Sequence, residues 1–420
     1  MDIRREIEMV GSGAKEASRV LASLNTDHKN GILKEMSQAL HKARPFILKA
    51  NRKDLNRARE RKSPGALIDR LAMNDKRIKG MIDSINDIIK LDDPVGSIEK
   101  LVKRPNGLLI GKMRVPIGVI GIIYESRPNV TADCMALCLK SGNSVILRGG
   151  SEAINSNIAV FDVLKTAALK KGLPENALNL VKTRDRKAVD IMLGLEGSID
   201  LIIPRGGESL IREVIKKAKV PVIKHYKGVC HVYVDEYADL NMAESIAYNA
   251  KVQRPGVCNA METLLAHKDV AARFLPSMIK RLIGAGVEIR GCSKTRSIVS
   301  GMKVKPAKES DWSTEYLELI ISIKVVDTLE GAIEHINRYG TAHSDAIVTD
   351  NYANAQEFLK KIDSSSVYVN ASTRFTDGYE FGKGAEIGIS TDKLHARGPM
   401  GLEELTTYKY VIYGSGQIRT

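Results

Sequence analysis

From Ile117 to Lys224 short apolar runs alternate with helical patterns, and this alternation limits the folds open to the chain more than any single residue does. Ile117 to Tyr124 reads as a buried strand. Helices are expected over 129–141, 152–171, 186–193 and 208–218, with strands Ser144 to Arg148, Ala177 to Val181, Ile199 to Pro204 and Val222 to Lys224 between them. Strands joined through helices of this length lie parallel with right-handed crossovers, an architecture of the nucleotide-binding type. A second alternating block starts near Cys230 to Val234 and continues through Glu262 to Ala266, Leu319 to Val326, Ala346 to Thr349 and Val367 to Asn370. Ahead of both blocks, residues 3–90 read as amphipathic helices, with Ile32, Leu33, Met36 and Leu40, then Ile78, Met81, Ile82, Ile85, Ile88 and Ile89, at helical spacing. Residues 107–116 suit a protruding hairpin, and Thr407 to Tyr413 a terminal strand that adds to another sheet.

With 420 residues, 43% hydrophobic and only 5% aromatic, the chain has material for two α/β cores and an appendage. Met1 to Glu6 holds no apolar signal core, and nowhere do eighteen uncharged apolar residues run together, so a soluble cytoplasmic protein without a membrane span is expected. Five cysteines, at 134, 138, 230, 258 and 292, are scattered and odd in number, which suits neither a disulfide framework nor a paired zinc motif. A net charge of +14 raises nucleic acid as a partner. The cations, however, are spread along helical faces such as Arg57 to Lys62 and Ile215 to Lys219 with no aromatic platform among them, which favours small polyanionic substrates.

Cys258 closes the segment Asn249-Ala250-Lys251-Val252-Gln253-Arg254-Pro255-Gly256-Val257-Cys258-Asn259. A Pro-Gly turn there delivers one thiol to the start of an ordered run, where backbone N–H groups and the cations Lys251 and Arg254 can lower its pKa. It reads as an activated nucleophile or, more plainly, as a half-buried small hydrophobe. Two loops, Arg148-Gly149-Gly150-Ser151-Glu152 and Arg205-Gly206-Gly207-Glu208-Ser209, each close a strand and open a helix, where glycines let a phosphate or ribose approach the backbone. Neither is a G-x-G-x-x-G fingerprint or a phosphate loop, so an ordinary dehydrogenase or ATPase reading loses ground.

These segments, together with Tyr124-Glu125-Ser126-Arg127-Pro128-Asn129-Val130-Thr131, Gly228-Val229-Cys230-His231-Val232-Tyr233-Val234-Asp235 and His395-Ala396-Arg397-Gly398-Pro399-Met400-Gly401-Leu402-Glu403-Glu404, make the chain resemble the aldehyde dehydrogenase superfamily and, within it, the γ-glutamyl phosphate reductase family over nearly its whole length. The resemblance implies an aldehyde dehydrogenase-like α/β fold of two parallel-sheet domains, cofactor and catalytic, plus a small β oligomerisation element. It assigns 1–105 and 117–228 to an NADP-binding domain, 229–394 to a catalytic domain, 106–116 and 407–420 to oligomerisation, and 395–406 to a segment returning to the cofactor domain. It further implies Cys258 as nucleophile, the loops 148–152 and 206–209 around NADP(H), no metal, and Glu315 against the nicotinamide ribose. Thr314-Glu315-Tyr316-Leu317-Glu318 departs from the usual Glu-x-Phe-Gly-Pro form, so a surface glutamate is the alternative reading of Glu315.

Hydrolytic members of the superfamily place a glutamate base where this chain has Lys224-His225-Tyr226-Lys227-Gly228. Oxidation of an aldehyde to an acid needs a base to drive water onto the thioester, whereas exchange with phosphate should exclude water. The missing carboxylate therefore argues for acyl-phosphate chemistry, and the resemblance implies the reaction itself: NADPH-dependent reduction of L-γ-glutamyl 5-phosphate to L-glutamate 5-semialdehyde and phosphate, the second step of proline biosynthesis. His225 is either a catalytic group or a satisfied structural histidine. Asn129 is the candidate oxyanion amide beside the Cys258 N–H, with Asn259 near in sequence. Arg127, Arg254 and Arg397 are candidate clamps for the phosphate and carboxylate of the substrate. Where NAD-preferring relatives offer a glutamate to the adenosine ribose, Ser151 beside Arg148 would welcome a 2′-phosphate. The resemblance also implies a homodimer or dimer of dimers and admits glutamate 5-kinase as a partner. Alternatives are another semialdehyde or CoA-acylating dehydrogenase, or a non-enzymatic basic protein that binds nucleic acid.

Overall fold

The computed structural model describes residues 2–125, 127–224 and 227–419. Its chain forms two compact units, one built from Met1–Lys224, Gly382–Gly388 and Met400–Thr420, the other from His225–Phe381 and Ile389–Pro399.

The first unit opens with α1 (Ile3–Leu21), α2 (Thr26–Lys42), α3 (Arg44–Glu60), α4 (Gly65–Leu71) and α5 (Asp75–Lys90). Asp2, Asn25 and Asn74 each accept a backbone N–H in the first turn of α1, α2 and α5, which explains where those helices start. After β1 (Ile98–Lys103) and β2 (Leu109–Pro116) come β3 (Val119–Tyr124), α6 (Asn129–Lys140), β4 (Ser144–Gly149), α7 (Ile154–Lys170), β5 (Leu178–Leu180), α8 (Lys187–Leu193), β6 (Leu201–Arg205) and α9 (Glu208–Lys217). Strands β5, β4, β3 and β6 lie side by side in that order, all parallel. Every residue of β3 is buried, as a strand covered on both faces requires. Ile7 and Ala14 of α1 and Met192 and Leu193 of α8 pack with Val119, Ile123, Ile146 and Ile202 of the sheet. From β3 the chain runs outward through β4 and β5, then returns past β3 to β6. The carboxyl ends of β3 and β6 are thus the point where strand order reverses, the usual ligand crevice of an open parallel sheet.

Val222 to Lys224, expected as a strand, supplies one parallel bridge from Val222 to Ile202 and no more. The run is only three residues long, and its pairing with Ile202 uses the Pro221 carbonyl and the Ile223 N–H. β1 escaped the sequence reading because its charged pattern Ile-Glu-Lys-Leu-Val-Lys leaves five of six residues exposed.

The second unit contains β7 (Cys230–Val234), α10 (Leu240–Val252), β8 (Met261–His267), α11 (Lys268–Gly284), β9 (Glu288–Gly291), α12 (Ser293–Ile298), β10 (Val304–Pro306), β11 (Ile320–Val326), α13 (Leu329–Tyr339), β12 (Ser344–Val348), α14 (Tyr352–Lys361) and β13 (Ser366–Val369). Its parallel sheet has the order β10-β9-β11-β8-β7-β12-β13. Alternate residues feed opposite faces: Val232, Leu264 and Ile323 meet Phe274 and Met278 of α11, whereas Tyr233, Leu265 and Ile347 meet Ile333 of α13 and Phe358 of α14. A short antiparallel pair, β14 (Ile389–Ser390) and β15 (Gly398–Pro399), completes this unit.

Back in the first unit, β16 (Thr406–Tyr413) pairs antiparallel with β2 from Thr406 opposite Pro116 to Tyr413 opposite Leu109, and β1 flanks the other side of β2. The terminal strand and β2 therefore cover one of each other's edges, and β16 remains an outer strand; residues 107–116, expected as a hairpin, supply only its second arm, β1 being the first.

One contact sets the start of α7, the helix that follows the Arg148 loop. Ala153 gives it no side-chain cap, and the buried Asp54 of α3 accepts the Ser156 N–H at 2.8 Å, the Asn155 N–H at 3.3 Å and the Ser156 hydroxyl at 2.6 Å instead. Asp54→Ala is expected to loosen that end by about 2 kcal/mol, roughly thirtyfold faster exchange. Hydrogen–deuterium exchange at Asn155 and Ser156, with α11 unchanged as internal reference, checks this.

Candidate active site

In the second unit α10 ends at Val252, and the chain turns through Gln253 to Ala260 before entering β8, with the Ala260 N–H closing on the Val257 carbonyl at 3.1 Å. Cys258 sits half-buried in this turn. The turn is tied at both ends by one ion pair: Lys251, in the last turn of α10, bonds Glu262 of β8 at 2.6 Å, and both side chains have 0% exposure. The other oxygen of Glu262 accepts the Leu317 N–H at 3.2 Å. Burial pushes Glu262 up to about 7 against the pull of Lys251, and burial likewise lowers Lys251. The sequence reading had Lys251 as a cation activating the thiol. Instead its charge is sealed under the turn by a carboxylate.

The turn is backed by two further segments. The Cys258 carbonyl accepts the Cys230 S–H at 3.2 Å, and a Cβ added to Gly228 would overlap that same carbonyl, so only glycine lets the two backbones meet. The Gly228 N–H donates to Glu315 at 2.8 Å, and Lys227 bonds the Ser313 carbonyl at 2.9 Å. Glu315 is thereby anchored beside the segment that touches the Cys258 backbone. His225, named as a candidate catalytic group, lies outside the described residues.

The other thiols are unsuited to the same work. Burial pushes Cys134, Cys138 and Cys230 well up, keeping them protonated. Cys292 caps α12, its sulfur accepting the Thr295 N–H at 3.4 Å.

Arg254 is exposed in the Cys258 turn. Arg374 joins it, a residue the sequence reading missed. Its Nε bonds the Gln253 side-chain oxygen at 2.9 Å and an Nη bonds the Asn259 side-chain oxygen, so it grips the turn on both sides of Cys258. Burial and then Arg254 lower its pKa, while Cys258 pulls the other way. Asn259 itself donates to the Thr376 carbonyl at 2.8 Å and the Arg374 carbonyl at 3.4 Å. Arg397 is paired with Asp363 at 2.7 Å and bonds its carbonyl at 2.8 Å.

In the first unit both glycine loops lie on the carboxyl edge of one sheet, after β4 and β6, with β3 between them. Arg148 is 8% exposed and curls over its own loop, bonding the carbonyls of Gly149 at 3.0 Å and Arg184 at 3.4 Å. Burial lowers its pKa, and its Nε has no hydrogen-bond partner among the described residues. Gly149 answers to packing, since a Cβ there would overlap the Asn157 amide and press on the Tyr124 ring. Gly150 lies under the Glu152 carboxylate, and Ser151 is exposed. In the second loop the Gly207 N–H donates to Glu125 at 2.9 Å, and the Glu125 N–H bonds the Arg205 carbonyl at 3.0 Å. Gly206 also lies against the Glu125 carboxylate, and Ser209 is exposed in the first turn of α9. Glu125 was not singled out; its position directly after β3, at the strand-order reversal, is the signal that marks it. Arg127 and Asn129 follow, both exposed, the Asn129 amide on Asp133 at 3.2 Å. A backbone N–H that already donates to a carboxylate, and a buried guanidinium nitrogen without a partner among the described residues, fit the anionic backbone of a dinucleotide.

Residues 4–289 and 304–411 match the aldehyde dehydrogenase family. The chain belongs to that family. Among its aldehyde dehydrogenase relatives, a γ-glutamyl phosphate reductase of Caldanaerobacter subterraneus subsp. tengcongensis is 60% identical over 414 residues, 99% of this chain and 100% of that protein. The crystal structure of γ-glutamyl phosphate reductase from Thermotoga maritima is 51% identical, with coverage of 99% and 100% and a TM-score of 0.96. An engineered glycolyl-CoA reductase with bound NADP+, 14% identical with 96% of each chain covered and a TM-score of 0.68, shares the aldehyde dehydrogenase fold. The α/β architecture of two parallel sheets with small antiparallel sheets is thus the one its sequence implies.

Because a side chain at residue 228 must displace the Cys258 carbonyl, Gly228→Ala is expected to lose about a hundredfold in kcat, the loss typical of a 1 Å misplacement. The melting temperature should change by only a few degrees. Steady-state rates, alkylation of Cys258 by iodoacetamide and a thermal melt together check this.

Proposed function

We propose that the chain reduces L-γ-glutamyl 5-phosphate with NADPH to L-glutamate 5-semialdehyde and phosphate, through a Cys258 thioester, as the second step of proline biosynthesis. One observation carries the reading: Lys224 to Gly228, the segment whose glycine rests on the Cys258 carbonyl, contains no carboxylate. Without a positioned base, water near a thioester is a poor nucleophile, whereas phosphate dianion needs no deprotonation. The names of the relatives at 60% and 51% identity support the same reaction.

Cys258 sulfur attacks the γ-carbonyl, a C–S bond forms, and phosphate leaves with the C–O electron pair. The Cys258 N–H and the Asn129 amide stabilise the oxyanion of each acyl step. The nicotinamide supplies the hydride that converts the thioester to a thiohemiacetal. Loss of the hydroxyl proton, for which His225 is the candidate acceptor, expels the Cys258 sulfur and frees the aldehyde. Arg148 to Ser151 and Arg205 to Ser209 would hold the dinucleotide, with the Gly207 N–H as a donor its phosphates could use, and Glu315 is the candidate acceptor for the nicotinamide ribose. Arg127 and Arg397 hold the substrate carboxylate, Arg397 by leaving Asp363. Ser151 standing where NAD-preferring relatives carry glutamate favours NADPH.

The outer edge of β16, with Tyr408, Tyr410 and Ile412 exposed, supports addition to a neighbouring subunit's catalytic sheet and hence a homodimer or dimer of dimers. No described helix is long and apolar enough to cross a membrane, which supports a cytoplasmic enzyme that can receive its labile substrate from glutamate 5-kinase.

The reverse assay tests the reaction. NADPH formation from the semialdehyde should require phosphate and rise with it, and Cys258→Ser should lose about a thousandfold or more. Steady turnover to glutamate in phosphate-free buffer identifies an ordinary aldehyde dehydrogenase instead, and dependence on coenzyme A an acylating one. For the cofactor, Ser151→Glu is expected to shift preference from NADPH toward NADH by about 1–3 kcal/mol, read from kcat/KM for both.

A further inference from the structure

We infer that Arg374, together with Arg254, forms the seat for the phosphate group that leaves from or attacks at Cys258. The inference rests on the acyl-phosphate reading above and identifies the side chain that makes phosphate the partner of the thioester.

Arg374 lies in the short 3-10 turn Thr373–Phe375, which is fastened to the residue next to the nucleophile: the Thr373 hydroxyl bonds the Asn259 carbonyl at 2.7 Å, and the Asn259 amide bonds the Thr376 carbonyl at 2.8 Å. Its guanidinium is oriented by two neutral oxygens, those of Gln253 and Asn259, on either side of Cys258. No carboxylate lies within 4.0 Å of Arg374 or Arg254 among the described residues. The nearest acid in electrostatic terms, Asp377, faces the Tyr379 N–H at 3.0 Å.

Held by neutral acceptors, the guanidinium keeps its full charge for a third party. A merely structural arginine would be expected to meet a carboxylate or to hold its position without a second cation nearby. Burial and Arg254 disfavour its charge, Cys258 and Asp377 favour it, and an incoming anion would favour it further. A phosphate dianion accepts the forked N–H groups of arginine in parallel and spreads its charge over three oxygens. During reduction the C–S bond forms as the C–O bond to phosphate breaks, and the departing oxygen takes the electron pair to these cations. In reverse, a phosphate oxygen attacks the thioester carbon, C–O forms, C–S breaks and the sulfur leaves as thiolate.

Full-length Arg374→Gln and Arg374→Lys are compared with the unaltered protein in the reverse assay, varying inorganic phosphate, semialdehyde and NADP+ in turn. The KM for phosphate should rise about ten- to a hundredfold in Arg374→Gln and less in Arg374→Lys, with the other two constants within about threefold. Inorganic phosphate alone should slow alkylation of Cys258 by iodoacetamide in the unaltered protein and require at least about tenfold more in Arg374→Gln. Arg254→Gln, at an exposed position, should move the same two readings in the same direction. An equal rise in the KM for semialdehyde, or unchanged phosphate protection, overturns the assignment and makes Arg374 a carboxylate clamp or a brace. If the unaltered protein proves indifferent to phosphate, the reaction itself is wrong; if it depends on phosphate but Arg374→Gln keeps its phosphate constants, only the seat is wrong.

Discussion

The turn that carries Cys258 depends on an ion pair that water never reaches. Lys251 and Glu262 bracket the Cys258 turn, one at the end of a helix and the other at the start of a strand, and lie 2.6 Å apart with no exposure. Taking two charges out of water is expensive, and burial accordingly pushes each toward its neutral form. What the pair provides is direction: a carboxylate with one oxygen on Lys251 and the other on the Leu317 N–H ties three segments in one orientation. Two apolar side chains of equal volume would fill the space without naming a partner for that N–H. Losing one member alone would strand a charge in the core, which typically costs about 3–5 kcal/mol.

Around that pair the backbone is packed so closely that chemistry and architecture share atoms. The Cys258 carbonyl is touched by the Gly228 backbone and the Cys230 thiol, and the flanking side chains Gln253 and Asn259 are both occupied by Arg374. A turn so held has little freedom to relax, so the proposed acyl chemistry at its sulfur would meet dipoles already in place. The first unit works on another principle. Glu125 rests on the Gly207 N–H, an anion of the protein's own where a dinucleotide phosphate is proposed to bind. Cofactor binding there would exchange one anion for another, which limits the net gain.

The alternation of strands and helices was legible because buried strands such as Val119–Tyr124 and Cys230–Val234 must be apolar throughout. The turn around Cys258 was legible because its Pro-Gly pair and sulfur fall within eleven letters. What escaped had weaker local signals. β1 is charged and exposed, so its pairing with β2 leaves no apolar rhythm. Lys251 looked like a cation beside the thiol, since seven residues of separation say nothing about which side of a helix end a side chain takes. Arg374 lies 115 residues from Asn259, in a Ser-Thr-Arg-Phe-Thr-Asp run that reads as an ordinary turn until the fold lays it on the Cys258 loop. Gly149 looked like a cofactor glycine, whereas its neighbours Tyr124 and Asn157 show that the sheet needs it first.

The pairing of β16 with β2 has a consequence for how the chain is made. The strand that completes the small sheet ends at Tyr413, almost three hundred residues after its partner. On the ribosome the β1–β2 hairpin must therefore wait, one edge bare, while the entire second unit is synthesised. An unpaired edge is a template for any passing strand. The charges of Lys112 and Arg114 on β2 are the kind that keep such an edge solvated during the wait. A chain cut short before Thr406 would never leave that state, so proteolytic surveillance of unfinished copies has a single exposed strand to recognise.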